Sequence, residues 1–239
     1  MVRGRGVSNS VDITRHFKIF DPRHFPNLDI HVIGCGATGS KIAIELAKLG
    51  VQRLHLWDFD SVEQHNIANQ HYVVTDIGKP KVEALAAHIT ASTGLVPSVH
   101  NERVTGRTQL DGAVFLLTDT MSSRKEIFEG AIKYRFGVKL MIETRMSAKG
   151  GRIYTVEPTD PDQISFWEGR WYPDEDAGES LCGSSTTVGA TASMVSAYAV
   201  WAFIDYCSYM RTAKDKPYAE LLFSVSPPAA IIPTKPNKR

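Results

Sequence analysis

The chain turns on Ile30-His31-Val32-Ile33-Gly34-Cys35-Gly36-Ala37-Thr38-Gly39, with Arg53-Leu54-His55-Leu56-Trp57-Asp58 shortly after it. A short apolar run, Ile30 to Ile33, leads straight into glycines spaced Gly-x-Gly-x-x-Gly. From Thr38 to Leu49 the apolar residues recur at helical intervals, with Ile42, Leu46 and Leu49 on one face, and Gly50 stops the helix. Arg53 to Trp57 then reads as a second strand that ends on an acid. Strand, glycine turn, helix, strand and acid make a βαβ unit. A bound phosphate needs close donors and little steric hindrance. Gly34, Gly36 and Gly39 allow the turn, the close backbone approach and tight helix packing, and the helix N-terminus directs unpaired N–H groups at the anion. Asp58, about twenty residues on, is placed to accept hydrogen bonds from ribose hydroxyls. The motif alone leaves NAD, FAD, S-adenosylmethionine and ATP open as ligands, and a glycine turn used only for packing is the plainer alternative.

Outward from this unit the alternation continues. Ser61 to Gly78 is a polar connection, and Pro80 to Thr93 reads as a helix with proline in its first turn. Ser98 to Val104 and Ala113 to Leu117 read as strands, Ser122 to Phe136 as a helix, and Lys139 to Glu143 as another strand. Gly151 to Val156 alternates polar and apolar residues, as an antiparallel strand does. Ser184 to Tyr209 reads as a long helix and Ala219 to Ser224 as a last strand. The expected fold is therefore α/β: a doubly wound, mostly parallel Rossmann-like sheet, extended by antiparallel strands in the C-terminal half. Residues 1–27 form an N-terminal arm and contact segment, 28–224 a single domain, and 225–239 a Pro- and Lys-rich flexible tail. Within the domain, 158–183 is an acidic crossover loop carrying Trp167, Trp171 and Tyr172, of a length that often serves function.

Composition agrees with a folded chain of this class. The 239 residues are 43% hydrophobic and 22% charged, which excludes disorder throughout. Lys plus Arg number 27 against 26 Asp plus Glu, so no net field draws the chain to nucleic acid or an anionic membrane. Cys35, Cys182 and Cys207 are too few and too scattered for a disulfide framework or a structural zinc, which fits a reducing cytoplasm. Met1 to Ser10 is polar with no apolar stretch behind it, so no signal peptide is expected. Val188 to Ile204 carries no charge, yet its small and hydroxyl residues point to a buried helix of a soluble core rather than a membrane span.

After Asp58 come Phe59-Asp60-Ser61-Val62, then His65-Asn66-Ile67-Ala68-Asn69-Gln70, then Gly78-Lys79-Pro80-Lys81-Val82-Glu83, and Thr118-Asp119 follows a strand. With these residues the chain resembles the E1-like activating enzymes, the family of the ThiF and MoeB proteins, over about Arg15 to Trp201. The resemblance implies an ATP- and Mg²⁺-dependent adenylyltransferase acting on the C-terminal carboxylate of a ubiquitin-like β-grasp protein, with transfer of the acyl group to a cysteine in some members. It places Asp58 on the ribose, Asn66 near the phosphates, Lys81 as the phosphate-neutralising lysine and Asp119 as the Mg²⁺ acid. Arg124 matches an arginine after that acid. Two positions depart from the family pattern. Asn69 stands where an arginine is frequent, and Lys18, in Arg15-His16-Phe17-Lys18, stands where an arginine reaches into the partner subunit's ATP site. Neither reproduces the bidentate grip of arginine. A homodimer is implied. A nucleotide- or protein-binding module without turnover is the alternative, and an NAD-dependent oxidoreductase a weaker one that nothing after Asp58 supports.

Cys182 lies between the acidic loop and the long helix, where family members that form a thioester or acyl-disulfide carry a cysteine. A thiol just before a helix N-terminus has more thiolate, and a packing role is the competing reading. Cys35 and Cys207 read as packing residues. His65 and His71 read as solvated loop histidines. Arg145, in Glu143-Thr144-Arg145, reads as a structural ion pair ahead of a ligand for the incoming carboxylate.

Overall fold

In the computed structural model residues 9–176 and 188–234 are described. Eight strands form one sheet in the order β3-β2-β1-β4-β5-β6-β7-β8. They are β1 (Ile30–Ile33), β2 (Leu54–Trp57), β3 (Ser98–His100), β4 (Gly112–Leu116), β5 (Val138–Ser147), β6 (Gly150–Val156), β7 (Glu220–Val225) and β8 (Pro228–Thr234). The first five are mutually parallel, with Ile33 level with Trp57 on one side and Leu116 on the other. From β5 onward each neighbour is antiparallel. The expected doubly wound sheet with an antiparallel extension is the observed one, and strand order reverses between β1 and β4.

Helices α1 (Gly39–Lys48), α2 (Lys81–Thr93) and α5 (Gly189–Thr212) cover one face. Their core side chains, among them Ile42, Leu46, Leu85 and Phe203, meet Val32, Leu56 and Phe115 of the sheet. Helices α3 (Met121–Ile127) and α4 (Pro161–Glu168) lie on the other face, over Val114, Met141 and Val156. The uncharged segment from 188 is the start of α5, buried along Ala192, Val195, Ala199 and Phe203. Among the described residues no helix is long and apolar enough to cross a membrane.

Several expectations are corrected. The strand over Ser98 to Val104 stops at His100, and the remainder is a loop that turns toward the C-terminal end of the sheet. The helix over Ser122 to Phe136 is α-helical only to Ile127. Phe128–Ile132 continues with π geometry, and Gly130 there lies so close to Gly106 that a Cβ would stand 2.4 Å from the Gly106 Cα. The acidic loop 158–183 contains a helix: Asp160 caps α4, accepting from the Asp162 and Gln163 N–H groups. Trp167 of that helix is 1% exposed, in the core against Phe128. The tail 225–239 is not loose over its first part, because β8 pairs with β7 there. The N-terminal arm is integrated from Asn9 on: Asn9 Nδ2 donates to the Ala47 and Val51 carbonyls, and Phe20 packs on Phe203.

The polar connection between β2 and α2 is pinned by Asp76. Its carboxylate accepts from His88 Nε2 (2.6 Å), Lys79 Nζ (3.1 Å) and the Val73 N–H (3.1 Å). Burial raises its pKa, but these donors outweigh burial and hold it at about 2. A carboxylate depressed on folding stabilises above its ordinary range and loses that contribution as pH falls through the folded value. Asp76→Asn should therefore lower stability by about 1–3 kcal/mol at neutral pH, and the gap from wild type should close between pH 4 and pH 2, as read by denaturant melts across that range.

Candidate active site

The crevice predicted by the reversal of strand order lies beyond the C-terminal ends of β1, β2 and β4. It is a cleft of about 480 Å³. Its floor is the glycine turn. Gly34 has φ +94°, and a Cβ there would stand 2.7 Å from the Leu117 carbonyl oxygen, so only glycine lets the turn pass the end of β4. At Gly39 a Cβ would fall 1.8 Å from the Gly34 oxygen, whereas at Gly36 nothing lies within 4 Å. Gly39 thus serves packing, and Gly36 opens backbone to the cleft. Thr38, at the N-cap of α1, makes no side-chain cap hydrogen bond, which leaves first-turn N–H groups without the acceptor that commonly closes a helix start.

Asp58, at the end of β2, is 9% exposed. One carboxylate oxygen accepts from the Cys35 N–H (2.7 Å) and the other from the Asp60 N–H (2.9 Å). Burial raises its pKa, and the nearby Lys81 ammonium partly offsets that. Each oxygen keeps a lone pair for a ribose hydroxyl. Lys81, the first residue of α2, reaches back so that its Nζ lies 2.9 Å from Asp60 Oδ2. An ammonium has three donors, so it can hold Asp60 and a phosphate oxygen together. Asp119 projects into the cleft just past β4, exposed, on the loop that starts α3. Thr120 caps that helix by accepting from the Ser123 N–H.

Asp119 suits Mg²⁺ of the kind brought by a nucleotide. Among the described residues no group of three or more His, Cys, Asp or Glu forms a self-sufficient metal cage. Mg²⁺ is commonly held by one or two carboxylates together with substrate phosphates. Asp119 supplies such a carboxylate to the cleft, beside Asp58 and Asp60.

Of the residues singled out from sequence, the fold brings Gly34, Gly36, Asp58, Lys81, Asp119 and Arg124 to one cleft. Asn66 does not line it: its Oδ1 accepts from the Glu63 N–H, and the side chain is buried as a cap of the 3₁₀ turn Gln64–Ala68. Asn69 ends that turn, beside Gly189 at the start of α5, and also does not line the cleft. Lys18 is exposed away from its own cleft. Cys182 lies outside the described residues. Cys35 is fully buried, and desolvation raises its thiol well above the ordinary range, which suits packing and not reaction. His65 pairs with Glu63, and His71 lies along a separate groove between α1 and α5. Arg145 is bound to Glu143.

The sequence reading did not single out Asp60, Gln70, Glu102 and Arg103, which also line the cleft. Arg103 lies 4.3 Å over the Phe59 ring, and the pair spans from the end of β2 to the loop after β3. The signal that finds the last two residues is positional: in an open α/β sheet the residues just past each parallel strand face the ligand. Extending the third strand to Val104 concealed them.

The sequence profile described as the ThiF family matches residues 21–224. The *Escherichia coli* K12 sulfur carrier protein ThiS adenylyltransferase is 28% identical over 168 residues, covering 66% of this chain and 63% of that protein. The *Saccharomyces cerevisiae* tRNA threonylcarbamoyladenosine dehydratase 2 is 27% identical over 134 residues, covering 52% of this chain and 29% of that protein. The chain therefore spans less than two thirds of the length of these relatives. Among solved structures, *E. coli* MccB with AMPCPP and MccA superposes with a TM-score of 0.67 at 14% identity, over 91% of this chain and 66% of that one. PaaA gives 0.67 at 19% identity, over 91% and 67%. These two show the fold.

The glycines separate folding from ligand binding. Gly36→Val should leave the melting temperature near that of wild type while abolishing nucleotide binding in calorimetric titration. Gly39→Ala should lower the melting temperature itself, because its Cβ meets backbone.

Proposed function

Because the chain belongs to the ThiF family, we propose that it is an ATP-dependent adenylyltransferase that activates the C-terminal carboxylate of a ubiquitin-like β-grasp protein. The observation that carries this reading is the meeting of Asp58, Lys81 and Asp119 around an open glycine turn in one cleft. A redox dinucleotide needs no cation and metal acid at that place, whereas a triphosphate needs both. The naming of a relative as an adenylyltransferase of a sulfur carrier protein supports the substrate class.

In this reading the glycine turn and the start of α1 hold phosphate oxygens, and Asp58 accepts from the ribose hydroxyls. Lys81 offsets charge on the phosphates as the substrate carboxylate approaches. That carboxylate is ionised at neutral pH, so no general base is required. It attacks the α-phosphorus, a P–O bond to the carboxylate forms, and the bond to the β-phosphate breaks to release pyrophosphate. Asp119 would hold Mg²⁺, which supplies further charge neutralisation when bound with the nucleotide. Transfer of the acyl group to Cys182 would follow by thiolate attack on the acyl-adenylate with release of AMP.

The assembly proposed is a homodimer. Lys18 is exposed beside Phe17 and Ile19, 39% and 56% exposed, and does not line its own cleft, as holds for a residue serving a partner's cleft. A second reading, a nucleotide-holding module without turnover, is favoured by Asn69 and Lys18 in place of arginines.

ATP–pyrophosphate exchange with candidate β-grasp proteins decides between the two readings: exchange supports the enzyme, and nucleotide binding without exchange supports the module. Asp119→Ala and Lys81→Ala should each lower exchange by at least about a hundredfold, the scale of losing one charge-stabilising group. Mixing Lys18→Ala protein with Lys81→Ala protein should restore part of the exchange lost by each alone, because one mixed cleft then holds both lysines. No recovery on mixing, with light scattering showing monomers, would remove the shared-site dimer.

A further inference from the structure

Glu143 lies on β5, is fully buried, and accepts hydrogen bonds from three side chains. Arg124 of α3 donates its Nη1 to Glu143 Oε1. Arg145, two residues along the same strand face, donates Nε to Oε1 (2.9 Å) and Nη2 to Oε2 (3.1 Å). Trp167 of α4 donates its indole N–H to Oε2 (2.8 Å). Burial raises the carboxyl pKa, but the two guanidiniums outweigh burial and leave it lowered. Glu143 therefore stays a carboxylate.

Each arginine extends this charge to a different place. Arg124 Nε and Nη2 both donate to the Thr118 carbonyl, and Nη1 also reaches the Thr144 carbonyl at 2.9 Å. Thr118 is the residue before Asp119. Arg145 Nη1 donates to the Arg170 carbonyl (2.7 Å). The segment that follows Arg170 lies over α3: Trp171 Nε1 donates to the Met121 carbonyl, and Asp174 accepts from the Met121 and Ser122 N–H groups. One buried carboxylate thus anchors both the Asp119 loop and the strap 170–176 that seats on the next turn.

We propose that Glu143 is a positioning residue for the cleft: through Arg124 it sets the Asp119 loop, and through Arg145 it locks the strap 170–176 to that loop. Glu143 does not line the cleft, so its effect passes through the backbone carbonyl at Thr118. The proposal rests on the adenylation reading for its consequence in catalysis, but the geometric part does not.

Two variants test it, because a buried charge that loses its partner endangers folding. Glu143→Gln removes the shared charge. Arg124→Lys keeps a cation beside Glu143 but cannot grip Thr118 with two parallel donors. Both are compared with wild type by hydrogen–deuterium exchange of residues 117–122 and 170–176 without ligand, and by Mg²⁺ titration of ATP–pyrophosphate exchange. Amide exchange is expected to accelerate at least about tenfold in 117–122 for both variants and in 170–176 for Glu143→Gln alone. The Mg²⁺ concentration for half-maximal activity is expected to rise at least about fivefold in both, and for Glu143→Gln, which does not line the cleft, with little change in the affinity for metal-free ATP. Unchanged protection of 117–122 in folded Arg124→Lys would overturn the proposal, as would a fall in activity with unaltered Mg²⁺ dependence. If wild type itself shows no pyrophosphate exchange, the adenylation reading fails, while the amide-exchange comparison still decides the positioning.

Discussion

The passage of β1's glycine turn beneath the end of β4 is the constraint on which the rest depends. Gly34 has no room for a Cβ because the Leu117 oxygen is there, and Gly39 has none because the Gly34 oxygen is there. These two close approaches place the start of α1 and the Thr118–Asp119 loop on one crevice. With the parallel registers of β1, β2 and β4 aligned, the residues past each strand converge. Asp58 then closes the turn by accepting the Cys35 N–H, so the proposed ribose acid is also a structural brace. Its double duty accounts for its burial and for the partial compensation by Lys81.

Charge in this molecule is arranged locally. The net charge is +1, yet the cleft gathers Lys81, Arg103 and Arg124 with Asp58, Asp60 and Asp119. Behind it Glu143 is buried between two arginines, an arrangement that costs desolvation and is retained only where geometry satisfies every donor. Tyr154, stacked under the Arg145 guanidinium at 4.5 Å, closes the other side of that site. The resulting rigidity lies directly beneath the loop bearing the proposed metal acid, which is where positional precision matters most for phosphoryl chemistry.

How far the site could be read ahead depended on the kind of signal. Gly34, Gly36, Asp58, Lys81 and Asp119 belong to short motifs whose spacing carries a mechanism, and they meet. Asn66 sits inside such a motif as well, but its amide is consumed in capping a 3₁₀ turn, a local competition that spacing does not reveal. The segment 158–183, read as a loop, holds a helix for a related reason: Asp160 is spent on the cap of α4 and Trp167 on the core. Arg103 and Glu102 were hidden because a strand boundary was placed too far along, a common error where apolar alternation fades into a loop.

The sequence by itself determined the βαβ start, the mostly parallel sheet with its antiparallel extension, and the motif residues that meet in the proposed nucleotide cleft. It could do so because apolar periodicity and glycine spacing are local properties of the chain. Only the tertiary structure decided that Arg124 of α3 shares Glu143 with Arg145, that Lys81 rests on Asp60, and that the Trp171–Asp174 strap seats on α3. Those contacts join residues far apart in sequence, and they exist only once packing has excluded water and made each buried charge find its partner.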